Sequence, residues 1–191
     1  VLLESGILGK AGLAFLAFSF VASALYVVND IVDANSDRLH PVKRSRPIAS
    51  GRLSVPVGWT IVAICVAAGA ALAALLPPMF GVTLAVYAAS TALYTYWFKS
   101  VPTLEMLLVA FGFVLRAVGG ATATDVHLSQ WFLGVAMFGS LLIVAGKRTS
   151  ELKRFEDPGP TRAVLRSYSH SYLHQVGSIA ANGEAEIGRQ I

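Results

Sequence analysis

From Val55 to Phe98 the chain carries no charged side chain. No water-facing surface accommodates a run of this length, and a helix buried in a soluble core is shorter. Pro77-Pro78 interrupts the run; two prolines remove backbone donors and favour a turn. It therefore divides into two segments, about Val55–Leu76 and Phe80–Phe98. Each matches the roughly 17–25 residues that cross a bilayer core. Three more segments follow the same rule: Ala11–Val28, a stretch from about Pro102 to Gly120, and about Gln130–Gly146. The second of these starts with Pro102, suited to a first helical turn, and Glu105, suited to the positive helix end. It has one internal charge, Arg116. Ala121–Ser129 reads as a loop. Only 14% of the residues are charged and 55% are hydrophobic, against roughly a quarter charged in soluble domains. Spanning segments must satisfy their own backbone groups, so the expected fold is an all-α transmembrane helical bundle.

The charges are not scattered. Where the first apolar run stops, Asn29, Asp30, Asp33 and Asp37 follow, and then Arg38, His40, Lys43, Arg44 and Arg46. If the helix continues, Asn29, Asp33 and Asp37 share one face at i, i+4 and i+8, with Asp30 bordering it. Like charges at that spacing repel, and the C-terminal end of a helix disfavours anions. Such a stripe calls for a cation. Hard oxygens with no cysteine nearby point to magnesium, which commonly bridges carboxylates to a substrate phosphate. The cations that follow suit the rest of an anionic substrate. The plainer alternative is a solvated helix end followed by topology signals.

Five spans alternate the side of each loop. One side collects Arg38, Lys43, Arg44, Arg46, Arg52, Lys99 and the cations from Lys147 to Arg166; the other has essentially Lys10. The positive-inside rule puts the Asp-rich face of this multi-pass chain in the cytoplasm. A basic pI near 9.4 reflects this clustering rather than nucleic-acid binding. Cys65 is the sole cysteine, so there is no disulfide framework. The start resembles no signal peptide and lacks Met, which suggests a fragment.

The string Asn29-Asp30-x-x-Asp33-x-x-x-Asp37 after a span resembles the first Asp-rich motif of the UbiA-type intramembrane prenyltransferases. Extended through Arg38, His40-Pro41, Lys43-Arg44 and Arg46-Pro47-Ile48-Ala49-Ser50-Gly51, it is similar to a narrower branch, the decaprenyl-phosphate phosphoribosyltransferases of mycobacteria and their relatives. Leu115-Arg116-Ala117-Val118-Gly119-Gly120 and Gly146-Lys147-Arg148-x-x-Glu151-Leu152 match in the same order. Most UbiA-type enzymes carry a second Asp-rich motif after the fifth span; Lys147 and Arg148 stand there instead, as in the phosphoribosyl branch.

The resemblance covers roughly Ala11 to Val176. It implies a UbiA-like bundle of about nine helices, the second to sixth being present here. Residues 1–176 are then a partial domain, 177–191 a polar tail, and the chain is truncated at both ends. The implied reaction moves 5-phosphoribose from phosphoribosyl pyrophosphate to a polyprenyl (decaprenyl) phosphate, releasing pyrophosphate, for cell-wall arabinan precursors. Mg2+ would be held by Asn29, Asp33 and Asp37. Asp33, Asp37, Lys147 and Arg148 would be catalytic, and Asn29, Asp30, Lys43, Arg44, Arg46, Arg116 and Glu151 would contact substrate. The oligomeric state is open.

Two other readings stay open: a prenyltransferase acting on an aromatic or glycerol acceptor, and an inactive membrane fragment. Arg116 in mid-span is a functional signal by default, with snorkelling or a pair with Glu105 as alternatives. His170 and His174 are four apart but lack further ligands spaced for zinc. His40 before Pro41 reads as a turn residue. Glu151–Gln175 reads as a short loop, then an amphipathic helix along the cytoplasmic face that serves as a lid or a surface anchor.

Overall fold

The computed structural model describes residues 5–154 and 169–190. Its helices are α1 (Ser5–Leu39), α2 (Val55–Ala73), α3 (Pro78–Tyr96), α4 (Leu104–Thr124), α5 (Gln130–Arg154) and α6 (His170–Gln190), with no strand among the described residues. Four of them, α1, α2, α4 and α5, are long and apolar enough to cross a membrane. α3 is as long as α2 but less apolar, with Tyr87, Tyr94 and Tyr96 along it.

α1 has 35 residues, about 52 Å at the helical rise per residue. That exceeds the roughly 30 Å of a hydrocarbon core, so its last turns project beyond the apolar band. Nothing between Gly12 and His40 breaks the helix; Pro41 ends it, because the residue before a proline avoids helical geometry. The Asp-rich stretch is therefore helical to Leu39. At the stop, His40 Nδ1 accepts the backbone N–H groups of Val42 and Lys43, both at 3.2 Å. His40 is a turn residue.

α2 returns antiparallel to α1. Gly58 lies against Ile31 near one end, and Gly69 against Val21 near the other. Pro77 and Pro78 turn the chain into α3, as their spacing predicted. α3 then runs parallel to α1: Phe80 and Tyr87 pack on Phe18, with ring centroids 5.6 and 5.3 Å apart, and Lys99 reaches Asp33. α3 thus covers the depth of α1's apolar segment. α4 comes back antiparallel, with Gly119 under the Phe18 ring. Phe18, Val21, Leu76, Phe80, Leu84, Tyr87 and Leu115 form the core between these helices.

Three expected boundaries move. α4 starts at Leu104, so Pro102 precedes the helix rather than opening it, and it continues through Thr124 into the expected loop. α5 runs on past Gly146 to Arg154. The helix expected on the membrane face falls mostly outside the described residues; α6, which begins at His170 and takes in most of the expected polar tail, packs lengthwise on α5. Leu173 packs with Val144 and Ala145, Gly183 lies on the Phe138 ring, and Ile187 fits Gly134. The physical reason is a seam of Leu173, Val176, Ala180, Gly183 and Ile187 that matches the small residues of α5, a pattern hidden by the polarity of the rest. α6 continues through Val176 without a break. Phe155, Asp157-Pro158-Gly159-Pro160, Val164, Leu165 and Tyr168 lie outside the described residues, as does the His170 side chain.

Candidate active site at the polar end of the bundle

The directions of the helices bring the ends of α1, α3 and α5 and the start of α4 to one face. The acids of α1 do not stand alone there. Arg46 Nη1 donates to Asp30 Oδ1 at 2.9 Å and to Asp37 Oδ2 at 2.8 Å. Lys43 Nζ lies 3.7 Å from Asp37 Oδ1. Lys99, from the short link after α3, pairs with Asp33. Asp37 is 2% exposed. Each carboxylate that repulsion and the helix dipole disfavour is thus offset by a cation from another segment.

The first loop delivers those cations from a fixed backbone. Ser50 N–H donates to Arg46 O at 2.9 Å and Leu53 N–H to Pro47 O at 3.0 Å. Gly51 has φ +79°, a conformation that glycine adopts without a Cβ penalty. Arg38 Nε donates to Ala49 O at 3.2 Å, and Ile48 and Ala49 are buried. Arg44 is exposed and Asn29 is partly buried.

A second ionic cluster joins α4 to α5. Arg148 grips Glu105 with two bonds, Nε to Oε1 at 2.7 Å and Nη2 to Oε2 at 2.5 Å, and donates from Nη1 to Glu151 Oε2 at 2.6 Å. Glu105 is 0% exposed and Arg148 is 8% exposed. All three guanidinium nitrogens of Arg148 thus donate to carboxylates and join α4 to α5. The sequence reading placed Arg148 on phosphate; the structure gives it to carboxylates and leaves its neighbour Lys147 exposed. Of the alternatives for Arg116, the pair with Glu105 does not form; Arg148 holds Glu105. Arg116 instead donates to the Tyr87 hydroxyl at 2.7 Å and to Gly112 O at 3.4 Å, with its guanidinium 4.8 Å from the Tyr87 ring centre. It lies along the core and away from the acid stripe.

The link between the clusters is tight. Leu104 N–H donates to Pro102 O at 2.7 Å, and Thr103 has φ 66° and ψ −52°. This is a γ-turn of the rare, strained hand. Thr103 Oγ1 also hydrogen-bonds the Tyr172 hydroxyl of α6 at 2.5 Å. Lys99 on α1's acids and Glu105 on α5's arginine are therefore tied through a few residues.

Magnesium fits the donor chemistry of Asn29, Asp33 and Asp37. Among the described residues no three His, Cys, Asp or Glu side chains converge as a metal cage. Magnesium does not need one: it is commonly bound by one or two carboxylates plus substrate phosphates and water. An apolar groove of about 620 Å3 runs between α1, α2 and α3 from the Pro77-Pro78 end up to Val28, lined by Val21, Val28, Val62, Ala73, Pro78 and Leu84. Val28, the residue before Asn29, marks the end of the groove nearest the acid stripe.

Sequence reasoning missed two members of this face. Lys99 reads from sequence only as a topology charge, yet it is the one charge between the long uncharged run and Glu105. Glu105 was read as a helix-end charge. Its signal was position: a carboxylate opening an apolar helix, opposite a span that ends in Lys-Arg.

Residues 4–157 match the model of the UbiA prenyltransferase family. The chain is 39% identical over 176 residues to a decaprenyl-phosphate phosphoribosyltransferase of Mycobacterium tuberculosis, a match covering 92% of this chain and 58% of that protein. It is 41% identical over 172 residues to the enzyme of the same name in Corynebacterium glutamicum, covering 88% of this chain and 52% of the relative. The chain thus spans little more than half the length of these relatives. Its fold superimposes on a UbiA homolog from Archaeoglobus fulgidus bound to GPP and Mg2+, with a TM-score of 0.81 at 19% identity, over 95% of this chain and 67% of the other.

Proposed function

The chain belongs to the UbiA prenyltransferase family, and from that premise we propose that it serves Mg2+-dependent transfer of 5-phosphoribose from phosphoribosyl pyrophosphate to a polyprenyl phosphate on the cytoplasmic face of the inner membrane. The product feeds cell-wall arabinan synthesis. The observation that carries this reading is the polar face itself. It has one acid stripe on α1, and basic Lys147 and Arg148 at the end of α5, where a family member moving isoprenoid diphosphates usually has a second acidic motif. The similarity to the two phosphoribosyltransferases supports it.

In this reading an ionised oxygen of the polyprenyl phosphate attacks the anomeric carbon, and the bond from that carbon to pyrophosphate breaks. A phosphodiester forms and pyrophosphate leaves, so no general base is required. Asn29, Asp33 and Asp37 would hold magnesium, whose charge offsets that of the leaving pyrophosphate. Arg46, Lys43, Lys99 and Lys147 hold phosphate oxygens, with Arg44 at the entrance. Such preorganised cations lower the barrier by electrostatics alone. Arg148 and Glu151 fix the end of α5, and Arg116 fixes α4 on α3. The apolar groove beside Val28 receives the isoprenoid tail.

The test is a proteoliposome assay with donor labelled on the ribose. Label is expected in the lipid phase, and Asp33→Ala is expected to lower its rate on the order of 10²-fold. Equal transfer by both proteins would remove Asp33 from the site. The Archaeoglobus homolog was solved with an isoprenyl diphosphate, so labelled geranyl diphosphate is run in parallel. Transfer of its isoprenoid to an aromatic acceptor, with none of phosphoribose, would replace this reading.

A further inference from the structure

Arg46 has an uncommon placement for a substrate-binding cation. One nitrogen, Nη1, is shared by two carboxylates a full seven residues apart on α1, Asp30 and Asp37. The Asp37 side chain is 3% exposed and that of Arg46 is 34% exposed. The acid is fixed inside the bundle and the cation comes to it from outside. The backbone under Arg46 is pinned by its own carbonyl, which accepts from Ser50 N–H, and by its N–H, which donates to Lys43 O at 2.9 Å. Pro47 follows and stiffens it. The guanidinium can therefore leave the acids by side-chain rotation alone, with no movement of the loop.

Asp37 is also one of the oxygens that would hold magnesium. A divalent ion and Arg46 then seek the same carboxylate, and both cannot hold it at full strength. Once released, the guanidinium is a fork without a carboxylate, within side-chain reach of the same spot. Its best partner is a phosphate that binds both arms. On the basis of the reading above, we infer that Arg46 is a tethered counter-ion that excludes free divalent metal from the α1 acids and surrenders them when metal and a pyrophosphate group arrive together. The residue thereby couples the two ligands. Metal binding frees Arg46 for the pyrophosphate, and pyrophosphate draws Arg46 off the metal site. Linkage makes the effect reciprocal. Lys99 on Asp33 adds to the exclusion, but Arg46 is the cation that bridges two acids.

The experiment measures Mn2+ binding by electron paramagnetic resonance on the chain in nanodiscs, with and without inorganic pyrophosphate. Arg46→Gln is expected to bind Mn2+ alone roughly fivefold or more tightly than wild type, and to lose most of the enhancement that pyrophosphate gives wild type. Arg46→Lys keeps the charge without the fork, so it should still exclude free metal while losing part of the coupling. Arg52→Gln removes a cation that touches Ser50 and Ser45 but no acid, and should behave as wild type. Unchanged or weaker Mn2+ binding in Arg46→Gln overturns the inference. If Arg46→Gln fails to fold, a rise in Mn2+ affinity in Arg46→Lys overturns it instead. The outcome is separable from the transfer assay. Arg46-dependent coupling without phosphoribosyl transfer leaves the inference standing and removes the proposed reaction; transfer without such coupling does the reverse.

Discussion

Glu105 shows how much one side chain decides here. Its carboxylate is buried and takes two bonds from Arg148. Removing one partner of a buried ion pair costs about 3–5 kcal/mol, and because Glu151 still holds Arg148 the loss here lies toward the lower figure. Glu105→Gln is expected to destabilise the bundle by that order in detergent unfolding. Glu105→Gln combined with Arg148→Met and Glu151→Gln, which removes all three charges of the cluster, should recover much of the loss. If the triple variant is no better than the single one, the cluster is not the source. The same residue marks a limit of reading charges from sequence. Arg148 next to Lys147 suggests two equivalent cations, but one faces inward among carboxylates and the other outward. Their spacing on the helix is clear from the sequence; which of them faces a carboxylate on α4 is not.

Single glycines set the spacing between helices. The Arg116-Ala117-Val118-Gly119-Gly120 string looked like a functional signature, and the structure divides it. Arg116 ties α4 to Tyr87 on α3. A Cβ on Gly119 would come within 2.2 Å of the Phe18 ring, whereas one on Gly120 meets nothing within 4 Å. Gly119→Ala should force α1 and α4 apart and cost about 1–3 kcal/mol, as overpacking does. Gly120→Ala should be neutral or slightly favourable, since alanine is the better helix former. Thermal unfolding of the two variants side by side checks this; equal effects would mean that the α1–α4 contact is not set by Gly119. α1 and α2 repeat the device at Gly69, where a Cβ would lie 2.7 Å from Val21.

For the molecule as a whole, alternation of the helices gathers the first loop, the Lys99 link and the end of α5 on one face. The positive-inside reading puts that face in the cytoplasm. Cysteine scanning in a Cys65→Ser background tests it. Ser50→Cys, in the first loop, should react with an impermeant maleimide in inside-out vesicles only. Val126→Cys, 41% exposed after α4, should react in right-side-out vesicles only. Labelling of both from one side would break the alternation that assembles the site. The apolar surface agrees with a membrane setting: Phe15, Ile64, Leu75 and Ile143 are all more than 60% exposed, which only a hydrocarbon solvent makes favourable.

The sequence by itself determined the order of the apolar segments, the turn at Pro77-Pro78, the one-face spacing of the Asp stripe on a continued helix and the resemblance to the UbiA family. These depend on local rules: periodicity, backbone donors, and the length of a bilayer. The tertiary structure alone decided which cation serves which acid. Asp33 meets Lys99 from 66 residues away, and Arg148 meets Glu105 from 43 residues away. It also packed the polar last helix lengthwise on α5, because its seam of Leu173, Val176, Gly183 and Ile187 meets Val144, Ala145, Phe138 and Gly134 there. Ion pairs and close packing depend on what distant segments bring to the same place, and spacing along one helix carries no record of that.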